Sequence, residues 1–279
     1  MSYNQVFEAD LVRDFDPDQI FDCGQCFRWE KSEEGYWEGI VGCGSKSRHA
    51  RLSYEPDCGR LIIDEDRSKG SAADAAEDRA FWTNYFDLDR DYGKIKAQLT
   101  DGDEVMAKAI EFGSGIRILR QDSWETIVSF IISQNNNIPR IKKCIKSLAE
   151  LCGGRSGGIP DSKTLAAMQP EDLDICRLGY RARYLVETAH QVEELGMPED
   201  YEGLRSICGA GPKVASCIDL FGLGNLDSFP IDVWMKRVMN QLYGIAENDA
   251  KAMGEYAAAH FAPYGGIAQQ YLFYYITHK

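Results

Sequence analysis

Residues 205–238 read RSICGAGPKVASCIDLFGLGNLDSFPIDVWMKRV. Two glycines, Gly209 and Gly211, stand between two apolar-periodic segments, which predicts a helix, a tight turn and a second helix. Pro212 suits the first turn of that second helix, where its missing N–H is no loss. Amides at such a helix start point outwards with partial positive charge and can hold a phosphate. Lys213 follows at once, where the helix dipole makes a cation electrostatically unwelcome. Val214, Ile218 and Phe221 form an apolar stripe, and Lys213 and Cys217, four apart, share the neighbouring face. A lysine so placed is a candidate amine nucleophile. A solvent-facing lysine at a helix start has the same local sequence. Nineteen positions on, Asp232 directly precedes a helix with apolar Trp234, Met235, Val238 and Met239. It is a natural N-cap, and a carboxylate held there could also stabilise a developing cation. Capping alone accounts for most aspartates in such a place.

The wider sequence sets bounds. The chain has 279 residues, enough for one or two domains with a large core. It contains no apolar run long enough to span a bilayer, and no signal peptide is expected. Nine cysteines without framework spacing point to reduced thiols and a cytoplasmic setting. Cys23 and Cys26 form one CxxC, but no second ligand pair accompanies it, so no metal site is expected there. The net charge of −13 argues against a nucleic-acid partner when averaged over the chain. Locally the balance reverses. Between Ile116 and Ser147 stand Arg117, Arg120, Arg140, Lys142, Lys143 and Lys146, against Asp122 and Glu125. Such a segment fits a confined phosphate-binding face, or an ordinary solvated helix flank.

Two halves are expected, residues 1–115 and 116–279. In the first, CFRWEKSEEGYWEGIVG reads as a hairpin and RLIID as a further strand. DEDRSKGSAADAAED reads as a loop entering a helix, and RAFWTNYFDLDRDYGKIKAQL as helix interrupted by turns. The second half is helical throughout. Trp124, Ile127, Val128, Ile131 and Ile132 repeat with helical period and predict a buried helix ended by SQNNN. Ile138-Pro139 opens the next, with Ile141, Cys144, Ile145, Leu148 and Leu151 as its apolar stripe. The triple-Asn turn puts short amides at one corner, as turns and caps often do.

Six segments in order resemble the 8-oxoguanine DNA glycosylases of the helix-hairpin-helix superfamily. They are FDCGQCFRW, GIRILRQDSWETIVSFIISQNNNIPRI, LGYRARYL, GAGPKVASCI, FPIDVW and AQQYLF, and they span almost the whole chain. The resemblance implies an α+β fold: a TATA-binding-protein-like antiparallel-sheet domain before an all-helical core. It implies base flipping and cleavage of the N-glycosidic bond in duplex DNA containing 8-oxoguanine. Lys213 matches the nucleophile that forms a Schiff base and permits β-elimination. Asp232 matches the catalytic aspartate. Gly24, Cys217, Gln269 and Phe273 match the base pocket, and Cys217 could pair as a thiolate with the Lys213 ammonium. Asn135, Arg140 and Arg181 match contacts to the orphaned cytosine, and Tyr180 the wedge. Gly209, Gly211 and Val214 match the phosphate-binding turn. The resemblance requires no cofactor, allows a structural cation on the hairpin carbonyls, and implies a monomer in the cytoplasm, with the nucleoid if the source is bacterial.

Three departures stand out: Trp234 where a phosphate-contacting histidine is usual, Ile-Cys-Gly in the hairpin in place of Leu-Pro-Gly, and Pro139 where a smaller residue is common. Two other readings compete. A monofunctional alkyl-base glycosylase would keep Asp232 but have no use for Lys213. A non-enzymatic hairpin protein binding DNA would not need Lys213, Asp232 and Gln269 together. An iron–sulfur relative needs cysteines near the C-terminus, and the last one here is Cys217.

Overall fold

The computed structural model of the chain describes residues 2–8, 12–66, 75–152 and 157–279. Five strands, β1 Ser2–Phe7, β2 Trp29–Lys31, β3 Trp37–Val41, β4 Arg48–Glu55 and β5 Arg60–Asp66, form one antiparallel sheet in the order β1-β5-β4-β3-β2. The expected hairpin is β2–β3, with Trp29 opposite Gly39. A Cβ on Gly39 would lie 2.3 Å from the Trp29 indole, so the large cross-strand ring requires glycine there. RLIID lies in β5, where Leu61, Ile63 and Glu65 face inward. β1 and β4 are additional to the strands expected. The inward positions of β4 include Arg48, which breaks the apolar alternation. Its charge is met by Glu65 at 3.0 Å and Asp78 at 2.6 Å, and it lies over the Phe81 ring.

Thirteen α-helices lie within the described residues. The first four are α1 Pro17–Asp22, α2 Ala75–Tyr85, α3 Tyr92–Leu99 and α4 Glu104–Phe112. Then come α5 Ser123–Ser133, α6 Ile138–Cys152, α7 Ser162–Ala166, α8 Arg181–Leu195 and α9 Tyr201–Ser206. The last four are α10 Pro212–Phe221, α11 Val233–Tyr243, α12 Ala250–His260 and α13 Gly265–His278. Most of the loop expected before α2 falls on residues 67–74, outside the described residues. An aspartate caps α1, α3, α4, α5, α7, α9, α11 and α12, in each case accepting a first-turn backbone N–H. Part of the acidic excess is thus invested in helix starts.

Two apolar cores form. One joins the sheet to α1 and α2 around Phe21, Trp29, Leu52, Ile63, Trp82 and Phe86, with Leu119 reaching in from downstream. The other is helical, and Ile95 and Leu99 of α3 and Met106 and Ile110 of α4 belong to it. The apolar stripes of α3 and α4 thus face the helices, and Cys23 and Phe27 join the same core, so both cores draw on residues from either side of position 115. Arg117 is buried at this seam and donates to five carbonyls, those of Arg13, Phe86, Asp87, Leu88 and Arg90, at 2.7–3.3 Å. α5 is buried on every side from Trp124 to Ile132, Glu125 included. On α6 the expected stripe is shorter by one: Leu151 is exposed and Ala149 is buried in the last turns instead.

Candidate active site

Lys213 lies at the second position of α10, after the N-cap Gly211 and Pro212. It is half-buried, and its Nζ is 5.4 Å from the centre of the Phe130 ring. One turn on, Cys217 is buried, and both Lys213 and Asp232 act on its thiol. Burial pushes this thiol up from its ordinary value, Lys213 opposes that shift, and Asp232 adds to it. Asp232 is the N-cap of α11, with Oδ1 accepting from the Met235 N–H at 2.7 Å. Seven other helices have the same kind of cap, so capping does not distinguish it. Sharing the Cys217 neighbourhood with Lys213 does.

The candidate base pocket is built from two distant segments. Gly24 has φ +78°, and a Cβ there would lie 3.3 Å from the Phe273 ring. A side chain at position 24 would be both strained and pressed onto that ring. Gln269 is buried one turn before Phe273 on α13 and so shares its face. Gln25 holds the Gly24 turn in place. Its Nε2 donates to the carbonyls of Ile20 and Arg117, at 3.0 and 2.8 Å, and its Oε1 accepts from the Leu119 N–H at 2.8 Å. Nothing local in the sequence marks Gln25, because its main partners lie more than ninety positions away. Phe27, two residues further, packs edge-on against Phe130, the ring next to Lys213. The turn is thereby tied to the lysine. Burial pushes the Cys23 thiol up to about 12, and the Cys26 thiol also rises.

The opposite-strand candidates cluster around one carbonyl. Asn135 adopts φ +46°, a left-handed conformation that asparagine tolerates. This turns the Gln134 carbonyl toward α8, where it accepts from Arg181 Nε at 2.8 Å, from Arg181 Nη2, and from the Tyr180 hydroxyl at 3.4 Å. Arg181 also donates to the carbonyls of Asn135 and Leu178. It is buried, with its guanidinium occupied in holding the Asn turn. Tyr180 is half exposed, and Arg140 is exposed with Nη2 at 3.4 Å from the Arg177 carbonyl. Of the six basic residues expected to form one face, Arg117 is buried at the seam and Arg120 pairs with Asp87 at 2.9 Å. Lys142 donates to the Trp29 carbonyl at 3.1 Å. Arg140, Lys143 and Lys146 remain exposed.

The hairpin joins α9 to α10. Gly209 has φ +79°, and a Cβ there would strike the Tyr184 ring at 2.7 Å. Tyr184 in turn packs edge-on against Tyr180, which connects the hairpin to the wedge candidate. The first helical bond of α10 runs from the Ala215 N–H to the Gly211 carbonyl, so the amides of Lys213 and Val214 precede it and stay outside the ladder. The Gly211 amide instead faces the Gly209 carbonyl at 3.2 Å. Of the three phosphate candidates, Val214 thus keeps an uncommitted amide. The carbonyls of Ile207, Cys208 and Ala210 accept from Ala210 N, Thr188 Oγ1 and Arg205 Nη1, at 3.2, 2.9 and 3.1 Å. Arg205 already brings a fixed positive charge to the turn. Trp234 is partly exposed beside Asp232, with the Arg237 guanidinium 4.9 Å from its ring. A separate cleft of about 570 Å³ lies between the sheet and α6, lined by Arg28, Glu38, Arg51, Lys142 and Lys146 among others, and Lys213 takes no part in it.

Comparison with known proteins gives consistent matches. The family described as 8-oxoguanine DNA glycosylase, N-terminal domain, matches residues 11–127, and the HhH-GPD superfamily base excision DNA repair protein matches residues 128–263. The N-glycosylase/DNA lyase of Saccharomyces cerevisiae is 30% identical, over 82% of this chain and 68% of its own length. MBOgg1 in complex with a low affinity DNA ligand is similar with a TM-score of 0.87 and 37% identity, covering 99% of this chain and 96% of that one. The 8-oxoguanine glycosylase/lyase of Clostridium acetobutylicum, in complex with dsDNA containing cytosine opposite 8-oxoG, gives 0.85 at 33% identity, covering 100% and 98%.

Proposed function

The chain belongs to the 8-oxoguanine DNA glycosylases of the HhH-GPD superfamily, and from that premise we propose that it excises 8-oxoguanine from duplex DNA and then cleaves the strand. It is a bifunctional N-glycosylase and AP lyase of base excision repair. The observation that carries the site assignment is the setting of Lys213, half-buried in the first turn of α10 with its Nζ 5.4 Å from the Phe130 ring and one turn before the buried Cys217. In this reading the Lys213 amine attacks C1′ of the extruded nucleotide, and the base leaves with the electrons of the glycosidic bond. Ring opening gives a Schiff base, loss of a C2′ proton follows, and the bond from C3′ to the phosphate oxygen breaks. Asp232 stabilises positive charge at the sugar as the base departs. Phe273 and Cys217 sandwich the base, Gln269 reads its edge, and the Gly24 carbonyl accepts the N7 proton that 8-oxoguanine has and guanine lacks. Tyr180 fills the gap in the stack, Asn135 and Arg140 face the orphaned cytosine from the turn that Arg181 holds, and the Val214 amide meets a phosphate.

Every step uses residues of this chain alone. Among the described residues no helix is long and apolar enough to cross a membrane, and the proposal places the enzyme with DNA in the cytoplasm as a monomer. The test is cleavage of duplexes with 8-oxoguanine opposite each base, with borohydride trapping of the covalent complex. Lys213→Gln is expected to abolish trapping and strand cleavage while lesion binding survives. Normal cleavage by that variant refutes the nucleophile assignment.

A further inference from the structure

α13 is buried from Gly265 to Leu272 and only half-buried from Phe273 to Thr277. Phe273 therefore forms its wall of the base pocket on the part of the helix that the core holds least. The facing wall, Gly24, stands two positions after Asp22, the last residue of α1. Asp22 is a carboxylate at a helix end, where the dipole disfavours negative charge. Its Oδ2 meets His278 Nε2, in the last turn of α13, at 3.1 Å. This pair, 256 positions apart in the chain, joins the same two segments that approach each other at Gly24 and Phe273.

The His278 ring stacks on Tyr274, with centroids 4.2 Å apart. Its Nδ1 lies 2.9 Å from Thr277 Oγ1 and 3.2 Å from the Tyr274 carbonyl. The Thr277 hydroxyl donates its own proton to the Phe273 carbonyl at 2.7 Å. A carbonyl only accepts, so Nδ1 is a donor. An ionised carboxylate only accepts, so Nε2 is a donor as well. The imidazolium, with both protons, is the form that serves all these partners. A cation also suits the C-terminal end of α13. The ionisable groups around it are Asp22 from α1, Tyr274 beneath the ring, and Asp16 and Asp18, which with Asp22 act on Tyr274. Lys279 is turned to the Tyr275 hydroxyl, and α4 and its C-cap present the uncharged Phe112 and Gly113 to Tyr274.

We propose that Asp22 and His278 are positioning residues: as an ion pair they pin the half-buried end of α13 to the end of α1 and so set the gap between Gly24 and Phe273 in which the base is held. When His278 loses a proton, Nδ1 keeps its hydrogen, because two acceptors face it. The bare Nε2 then faces a carboxylate, acceptor against acceptor, and the pin opens. A base-free sugar makes no use of that gap, so its cleavage does not depend on the pin. The inference rests on the pocket role proposed above for Gly24 and Phe273.

The test compares single-turnover excision of 8-oxoguanine with strand cleavage at a preformed abasic site, between about pH 5 and pH 8, where an imidazole changes charge. Lys213 serves both reactions, so its own titration cancels in their ratio. The proteins are the wild type, Asp22→Ala, His278→Ala and the double variant. The His278 and Asp22 side chains are 30% and 60% exposed, so their truncation leaves the core intact. In the wild type the ratio of excision to abasic cleavage is expected to fall about fivefold as pH rises, the range open to a partly exposed ion pair. Each single variant is expected to show the low ratio at every pH, and the double variant to be no lower than either. A wild-type ratio that stays level with pH overturns the proposal. So do single variants with the wild-type ratio, and losses that multiply in the double variant. Equal falls in excision and abasic cleavage also overturn it, since the pair is then structural only. A wild-type protein that cleaves neither lesion nor abasic DNA overturns the functional reading, and this inference with it.

Discussion

Asp232 caps α11 through one oxygen, and that bond is the part of its role that asparagine can copy. Asparagine is as good an N-cap as aspartate, but it carries no charge for the sugar. Asp232→Asn is therefore expected to change stability by less than about 0.5 kcal/mol while single-turnover excision falls roughly 100-fold or more. Thermal melts and excision rates on the same preparation check both halves. A loss of stability with excision preserved would return this residue to capping alone. At this scale the sequence shows the residues whose matches are local: the lysine behind a Gly-x-Gly turn, the aspartate before an apolar period, the glycine inside CxxC. It does not show Gln25, Arg205 or His278. Gln25 acts through carbonyls and amides from distant segments, and Arg205 and His278 look like ordinary helix residues until neighbouring elements pack around them.

Among the elements, the turn between α5 and α6 depends on a side chain from α8. The bonds from Arg181 to the carbonyls of Gln134, Asn135 and Leu178 imply that the turn is fixed before any DNA arrives. Arg181→Ala removes all of these donors. It is expected to cost about 3 kcal/mol, which corresponds to a fall in melting temperature of roughly 6–12 °C, and calorimetry without DNA is the check. A guanidinium that acted only on the orphaned base would leave the free protein's melting point unmoved. The same contrast explains which elements the sequence reveals. Helices announce themselves twice, by apolar period and by the aspartates at eight of their starts. β4 does not, since it turns Arg48 inward, and an ion pair with β5 and α2 satisfies it only in the folded chain.

Across the whole molecule, Glu125 ties the sheet to the helices. It lies buried in the first turn of α5, accepts from the Gly42 N–H at 2.6 Å and faces Arg28 at 3.4 Å. Arg28 in turn donates to the Gly157 carbonyl. Burial raises the Glu125 carboxyl from 4.5 to about 7, even though Arg28 and the Gly42 amide favour its charged form. Because the folded value lies above the unfolded one, the group's contribution is complete below about pH 4.5 and is lost as pH rises through 7. The loss is on the order of 3 kcal/mol. Glu125→Gln is expected to flatten the decline in melting temperature between pH 5 and pH 8 relative to the wild type, and melts at matched ionic strength measure it. Parallel curves for the two proteins would contradict this.

Arg117 stands in the basic segment of the sequence, yet its guanidinium donates to the carbonyl of Arg13 and to four carbonyls between Phe86 and Arg90. A chain cut at 115 would strip that half of the donor that neutralises its own loop, and of Leu119, which completes its core. The halves are thus not interchangeable modules at the border where composition changes. Recombination, natural or engineered, preserves a working sheet half only if residues 116–119 travel with it.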